Sequence, residues 1–106
     1  MSFSINTEFS ENVAIFTLSG SLDSSTAHEL DTKVREIIPK NPEKLVMDMK
    51  KLDFMASAGL RVIIFAKQKL GPSVSLILVK PQEQIVETLK MTGLIHSVHI
   101  VDMYPE

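Results

Sequence analysis

The chain has 106 residues, 11 basic against 13 acidic for a net charge of −2, and no cysteine. That length suits one domain able to bury about two-thirds of its unfolded surface, and the lack of thiols excludes a disulfide scaffold, a thiolate metal site and a cysteine nucleophile. The four glycines stand singly (Gly20, Gly59, Gly71, Gly93), which excludes the paired-glycine phosphate loops, and the near-balanced charge gives no electrostatic case for nucleic acid or a membrane surface.

No apolar run approaches the ~18 residues of a membrane span, and Met-Ser-Phe-Ser-Ile-Asn lacks a signal-peptide pattern. No repeat, linker or low-complexity tract interrupts the chain. The expectation is one cytoplasmic domain over residues 1–106.

Phe3, Ile5, Thr7 and Phe9 alternate with polar residues, the pattern of a half-buried strand. Glu11-Asn12 reads as a turn into a second strand, Val13 to Ser19, so the two make a hairpin. Gly20-Ser21-Leu22-Asp23 breaks that pattern. From about Ser25 to Ile38 the spacing is helical, with Ala27, Leu30, Val34, Ile37 and Ile38 on one face. Thr26 with Glu29 has capping-box spacing, and Asp23, Ser24 or Ser25 is an equally available cap. Pro39 and Pro42 are expected to stop this helix.

Leu45 to Met49 reads as a buried strand and Lys50 to Asp53 as a turn. A helix follows over Ala58 to Leu70, with Leu60, Ile63, Ile64 and Leu70 inward, ended by Gly71-Pro72. Val74 to Val79 is the next strand. Pro81 opens a third helix with Ile85, Val86 and Leu89 inward and Gly93 as its stop, and Val98 to Val101 is a last short strand. The order β-β-α-β-α-β-α-β implies crossover connections, and so an α/β fold with a mostly parallel sheet, an N-terminal antiparallel hairpin and helices packed against it.

Catalytic equipment is sparse. His96 and His99 form an H-x-x-H, but an extended segment puts the two rings on opposite faces, so they read as surface or edge residues and no metal is expected. Asp48, alone inside a strand, reads as a hydrogen-bonding group. Neither an enzyme nor a cofactor is indicated. Ser57 stands where a helix N-cap belongs, and capping alone accounts for a serine there. Gly59, in the first helical turn, costs about 1 kcal/mol against alanine, which makes sense where something must approach the helix closely. On a helical wheel Ser57, Arg61, Phe65 and Gln68 share a stripe away from the inward face. Aromatic and Arg side chains on such a stripe suit a partner surface, against the alternative that Phe65 packs under a neighbouring element.

Three elements carry a resemblance. Phe54-Met55-Ala56-Ser57-Ala58-Gly59-Leu60 resembles the signature loop of STAS domains, the family of bacterial anti-sigma factor antagonists, with its aromatic-Met-Asp-Ser-Ser/Thr/Ala-Gly-Leu pattern. Gly20-Ser21-Leu22-Asp23 is similar to the family's Gly-x-Leu-Asp element, and Met91-Thr92-Gly93-Leu94 to its Gly-Leu helix ending. The resemblance implies a switchable binding protein. Its partner is an anti-sigma factor that is also a serine kinase, and capturing it frees a sigma factor. Ser57 takes the phosphoacceptor position, whose modification releases the partner and which a serine phosphatase restores; Asp23 falls near the partner surface. The implied partner-binding set is thus Asp23, Ser57, Gly59, Arg61 and Phe65. One departure stands out: Ala56 occupies the position of the usual Asp. A kinase reading this loop has one charged contact fewer. That favours a second reading, a scaffold or transporter-associated STAS subunit without a phosphorylation cycle. A third, a small nucleotide-binding protein, lacks a phosphate cradle or a basic cluster.

Overall fold

A computed structural model describes residues 2–105; Met1 and Glu106, the ends of the expected domain, lie outside the described residues. The hairpin forms as expected. Strands β1 (Phe3–Ser10) and β2 (Val13–Leu22) pair antiparallel from Phe3↔Gly20 to Ser10↔Val13. The two-residue loop Glu11-Asn12 has positive φ at both positions, 52° and 66°, the geometry that matches strand twist in a tight hairpin.

Then come α1 (Ala27–Ile37), β3 (Lys44–Met55), α2 (Ser57–Leu70), β4 (Ser75–Val79), α3 (Glu83–Thr92) and β5 (His99–Val101). The sheet order is β1-β2-β3-β4-β5, and every pair after the hairpin is parallel. The strands add in one direction, and parallel crossovers are right-handed as a rule, an arrangement that puts successive helices on the same side of the sheet. The core shows this. Phe16 and Leu18 of β2, Met47 and Met49 of β3 and Leu76 and Leu78 of β4 pack against Leu30, Val34, Leu60, Ile63, Ile85 and Leu89 of the three helices. The other sheet face carries only a small cluster, Val46, Ile77 and Val79, flanked by Val13, Ile15, Val101 and Tyr104.

Three expectations need correction. β2 does not end at Ser19 but runs on through Leu22. Gly20 makes that possible: its φ is +90°, and a Cβ there would lie 1.9 Å from the Ser2 carbonyl oxygen. Lys50 to Asp53 is not a turn, because β3 continues to Met55. β3 takes seven steps from Asp48 to Met55 where β2 takes five from Thr17 to Leu22, so two bulges accommodate two extra residues. The bulges keep Leu52 and Met55 buried while Lys50, Lys51 and Asp53 stay exposed, which is why the segment reads as polar. Pro39 stops α1 as expected: the α-helix ends at Ile37, and the chain tightens into a 3₁₀ turn, Ile38–Lys40, closed by Asn41 in the left-handed region. His96 lies in a second 3₁₀ turn, Leu94–Ser97, and not in an extended segment; both His96 and His99 are exposed. Gly93 ends α3 with φ +78°, as its position suggested.

Candidate functional site

In a parallel sheet the turns that follow the strands gather at one rim. Here they are the β2–α1 turn with Asp23, the β3–α2 junction with Ser57 and the β4–α3 turn. One main-chain bond joins the first two: the Ala56 N–H donates to the Leu22 carbonyl at 2.8 Å. The Gly-x-Leu-Asp element and the serine loop are therefore neighbours in space.

Ser57 is exposed and is the first residue of α2. It is not the cap. Ala56 is, in extended conformation (φ −85°, ψ 172°), and with only a methyl group it makes no side-chain capping bond. The Gly59 and Leu60 N–H groups donate to the Ala56 carbonyl at 3.0 and 3.2 Å. The N–H groups of Ser57 and Ala58, ahead of those bonds, point out of the helix end with its partial positive charge. A hydroxyl here is open to solvent, and an anion at this helix end meets a favourable field. The sequence departure at position 56 thus falls on the cap itself.

Asp23 organises its turn. Its Oδ1 accepts from the Ser25 N–H at 2.9 Å, the Ser25 hydroxyl at 2.7 Å and the Thr26 N–H at 3.2 Å. Thr26 holds the cap position of α1 without a side-chain capping bond; its hydroxyl accepts the Asp23 N–H at 2.9 Å and donates to the Ser21 carbonyl at 2.8 Å, so Asp23 and Thr26 brace each other across the turn. The hydrogen bonds from the Ser25 side chain and backbone, with those from Thr26, hold the Asp23 carboxyl below its ordinary range. Asp23 is half-buried and anionic at neutral pH, beside the Ser57 turn.

Two residues expected at the partner surface are placed otherwise. Gly59 is buried, and a Cβ on it would lie 2.6 Å from Leu22 Cδ2 and 3.1 Å from Met55 Cγ. The close approach that calls for glycine is thus made by the domain's own core. Phe65 is half-buried, packed against the core, with the Arg35 guanidinium 4.5 Å from its ring centroid and Lys69 Nζ at 5.9 Å. Its packing partner is the outer face of α1. Arg61 is exposed, one helical turn after Ser57 on the same stripe. Of the inward residues expected in α2, Leu60 and Ile63 are buried, but Ala66 fills the third place while Ile64 and Leu70 are half-buried.

Two further residues contribute, Phe54 as the aromatic of the serine loop and Gln84, which no sequence pattern singled out. Phe54 is a large exposed apolar side chain, 43% accessible, at the end of β3. Gln84 on α3 sets its side-chain amide against both backbone groups of Met55, at 3.4 and 3.3 Å. A glutamine in an amphipathic helix carries no pattern that marks such a contact. Asp48 behaves as expected, its Oδ1 accepting from the Lys50 N–H at 3.1 Å. Among the described residues no three His, Asp or Glu side chains converge as a metal site, and no helix is long and apolar enough to cross a membrane.

Comparison with known proteins agrees with this geometry. The profile of the STAS domain matches residues 4–106. The anti-sigma-F factor antagonist RsfB of Mycobacterium tuberculosis is 34% identical over 62 residues, 58% of this chain and 51% of the relative. The chain therefore spans about half the length of that curated relative. The crystal structure of an anti-sigma factor antagonist from Mycobacterium paratuberculosis superposes with a TM-score of 0.86 at 23% identity, covering 97% of this chain and 88% of the other. The Bacillus cell fate determinant SpoIIAA, in its phosphorylated form, superposes with a TM-score of 0.75 at 18% identity, covering 92% and 90%. At those identities the two structures establish a shared fold.

Proposed function

The chain belongs to the STAS domain family, and from that premise we propose that it is an anti-sigma factor antagonist whose Ser57 rim captures an anti-sigma factor with serine kinase activity. Capture frees a sigma factor. Transfer of phosphate to Ser57 ends the complex, and a serine phosphatase restores it; the protein itself is a cytoplasmic binding module without a cofactor or catalytic residues of its own.

The observation that carries this reading is the exposed Ser57 at the first position of α2, next to Ala56, whose main-chain N–H bond to the Leu22 carbonyl ties the junction to the Asp23 turn. The relative RsfB and the structural neighbour from Mycobacterium paratuberculosis are anti-sigma factor antagonists, which supports the partner class. A phosphate adds a charge of about −1.5 to −2 to a protein whose net charge is −2. The helix end tolerates that charge, so the domain stays folded. A partner surface packed on the rim does not tolerate it, because the dianion must be desolvated beside the anionic Asp23. Asp23, Ser57 and Arg61 form the polar part of the proposed contact; Gly59 and Phe65 serve it by supporting α2 from behind.

The test is incubation with candidate anti-sigma kinases and ATP, read by intact mass and site mapping. Phosphate on wild-type protein, none on Ser57→Ala and loss of binding in the phosphorylated form are the expected results. Arg61→Ala is expected to keep wild-type stability within about 0.5 kcal/mol, as an exposed side chain does, and to weaken partner binding. Ala56 supports a second reading, a STAS scaffold or transporter-associated subunit without phosphorylation. Tight binding with no phosphate transferred by any kinase that binds would establish that reading.

A further inference from the structure

We propose that Gln84 is a positioning residue for the Ser57 turn: its side-chain amide stands in for a missing strand and holds the end of β3, and with it the first turn of α2. The ladder between β3 and β4 stops at Asp48↔Val79, yet β3 runs on to Met55. Beyond Asp48, β3 therefore has a strand on one edge only, β2. Backbone groups on the other edge need partners, or they are left to water and to stray strands.

Two side chains take up backbone groups of this stretch. Near its start, Asp48 Oδ1 accepts the Lys50 N–H at 3.1 Å. At its end, the Met55 N–H donates to Gln84 Oε1 at 3.4 Å, and Gln84 Nε2 donates to the Met55 carbonyl at 3.3 Å. This is the two-bond exchange that a facing residue of an antiparallel strand makes. Only an amide side chain supplies an acceptor and a donor at that spacing. Gln84 Nε2 also lies 3.3 Å from Thr88 Oγ1, whose hydroxyl donates to the Gln84 carbonyl at 3.0 Å. The amide is thus steadied by its own helix. Gln84 is exposed, so what it contributes is alignment and not core packing.

The next residue, Ala56, donates to Leu22 and accepts the first bonds of α2. With no cap side chain at Ala56, the direction in which Ser57 leaves the rim is set by the peptides on either side of the cap. Gln84 fixes the one on the strand side. The inference rests on the Ser57 reading for its consequence in phosphate transfer, and on geometry alone for the clamp itself.

The experiment compares wild type, Gln84→Ala and Gln84→Glu, the last keeping the acceptor for the Met55 N–H but setting an oxygen against the Met55 carbonyl. The first readout needs no partner: amide hydrogen exchange, residue by residue. In Gln84→Ala the Met55 N–H should lose protection roughly three- to tenfold, the worth of one hydrogen bond. Ala56 to Gly59 should exchange faster too, with Ile63 and Leu78 unchanged and Gln84→Glu intermediate. The second readout is phosphate transfer to Ser57 by a cognate kinase, where misplacement of the hydroxyl lowers kcat about threefold or more with KM little changed. Unchanged protection of Met55 and of residues 56–59 in Gln84→Ala overturns the clamp. Lost protection with wild-type kcat overturns the positioning role. Lost protection, with no kinase able to label even wild-type Ser57, supports the clamp and overturns the Ser57 reading instead.

Discussion

At the scale of single residues, the rim depends on two adjacent turns that treat their helices differently. The β2–α1 turn has a carboxylate that gathers three donors, whereas the β3–α2 junction has a methyl group where a cap side chain would sit. Ala56→Asp should therefore stabilise the domain by about 1 kcal/mol, the usual worth of a cap, read as a shift in urea midpoint at constant slope. Asp23 leads to a pH dependence. Its carboxyl titrates below its ordinary value in the folded protein, so its contribution is present above the unfolded carboxyl's pKa and is lost as pH falls through the folded one. Urea melts of wild type and Asp23→Asn should differ most near neutrality and converge in acid; a gap that widens below pH ~4 contradicts that sign. The Ser57 hydroxyl was legible in the sequence as a residue type at a helix start. Its displacement to the first helical position was not, because Ala56 and Ser57 are both compatible with an extended cap until the chain's path is known.

At the scale of elements, periodicity located every strand and every α-helix, and what it misjudged were ends. β3 is the clearest case. Lys50-Lys51-Leu52-Asp53 has turn composition, and the fact that it is strand follows from pairing with β2 through bulges, a nonlocal property. The stripe through Phe65 makes the same point for helices: a wheel shows that Phe65 leaves the main inward face, but only the placement of α1 shows what meets it there. Phe65→Ala should cost about 1–3 kcal/mol, the range for burying a large apolar side chain. A double-mutant cycle with Arg35→Ala should return a coupling of about 0.5–1 kcal/mol, the range for a cation that stays solvated over a ring. Zero coupling would falsify the contact between α1 and α2 at this point.

At the scale of the whole molecule, the monotonic strand order puts every α-helix on one side and leaves the reverse of the sheet thinly covered. Tyr104 lies on that reverse face against the Val46, Ile77 and Val79 cluster, with Lys44 Nζ 5.8 Å from its ring centroid. Removing the ring in Tyr104→Ala should cost about 1–2 kcal/mol from lost apolar burial and increase binding of a hydrophobic dye to the folded protein. The α/β class and the alternation that produces it were readable from the sequence. Which face stayed bare was not, since either face of a strand such as Leu45–Val46–Met47 is apolar enough to be the core side.

The bulged end of β3 makes the length of this segment a constrained quantity in its own right. Side chains alternate faces along a strand, so dropping one residue between Lys50 and Asp53 inverts every orientation downstream. Leu52 or Met55 would turn to solvent, and the hydroxyl of Ser57 would be carried about 3.3 Å back toward the sheet. Substitutions in the exposed stretch are therefore cheap, while a single-codon deletion there unseats the core and withdraws the rim in the same step. Relatives that keep this rim should differ freely in the identity of these residues and hardly at all in their number.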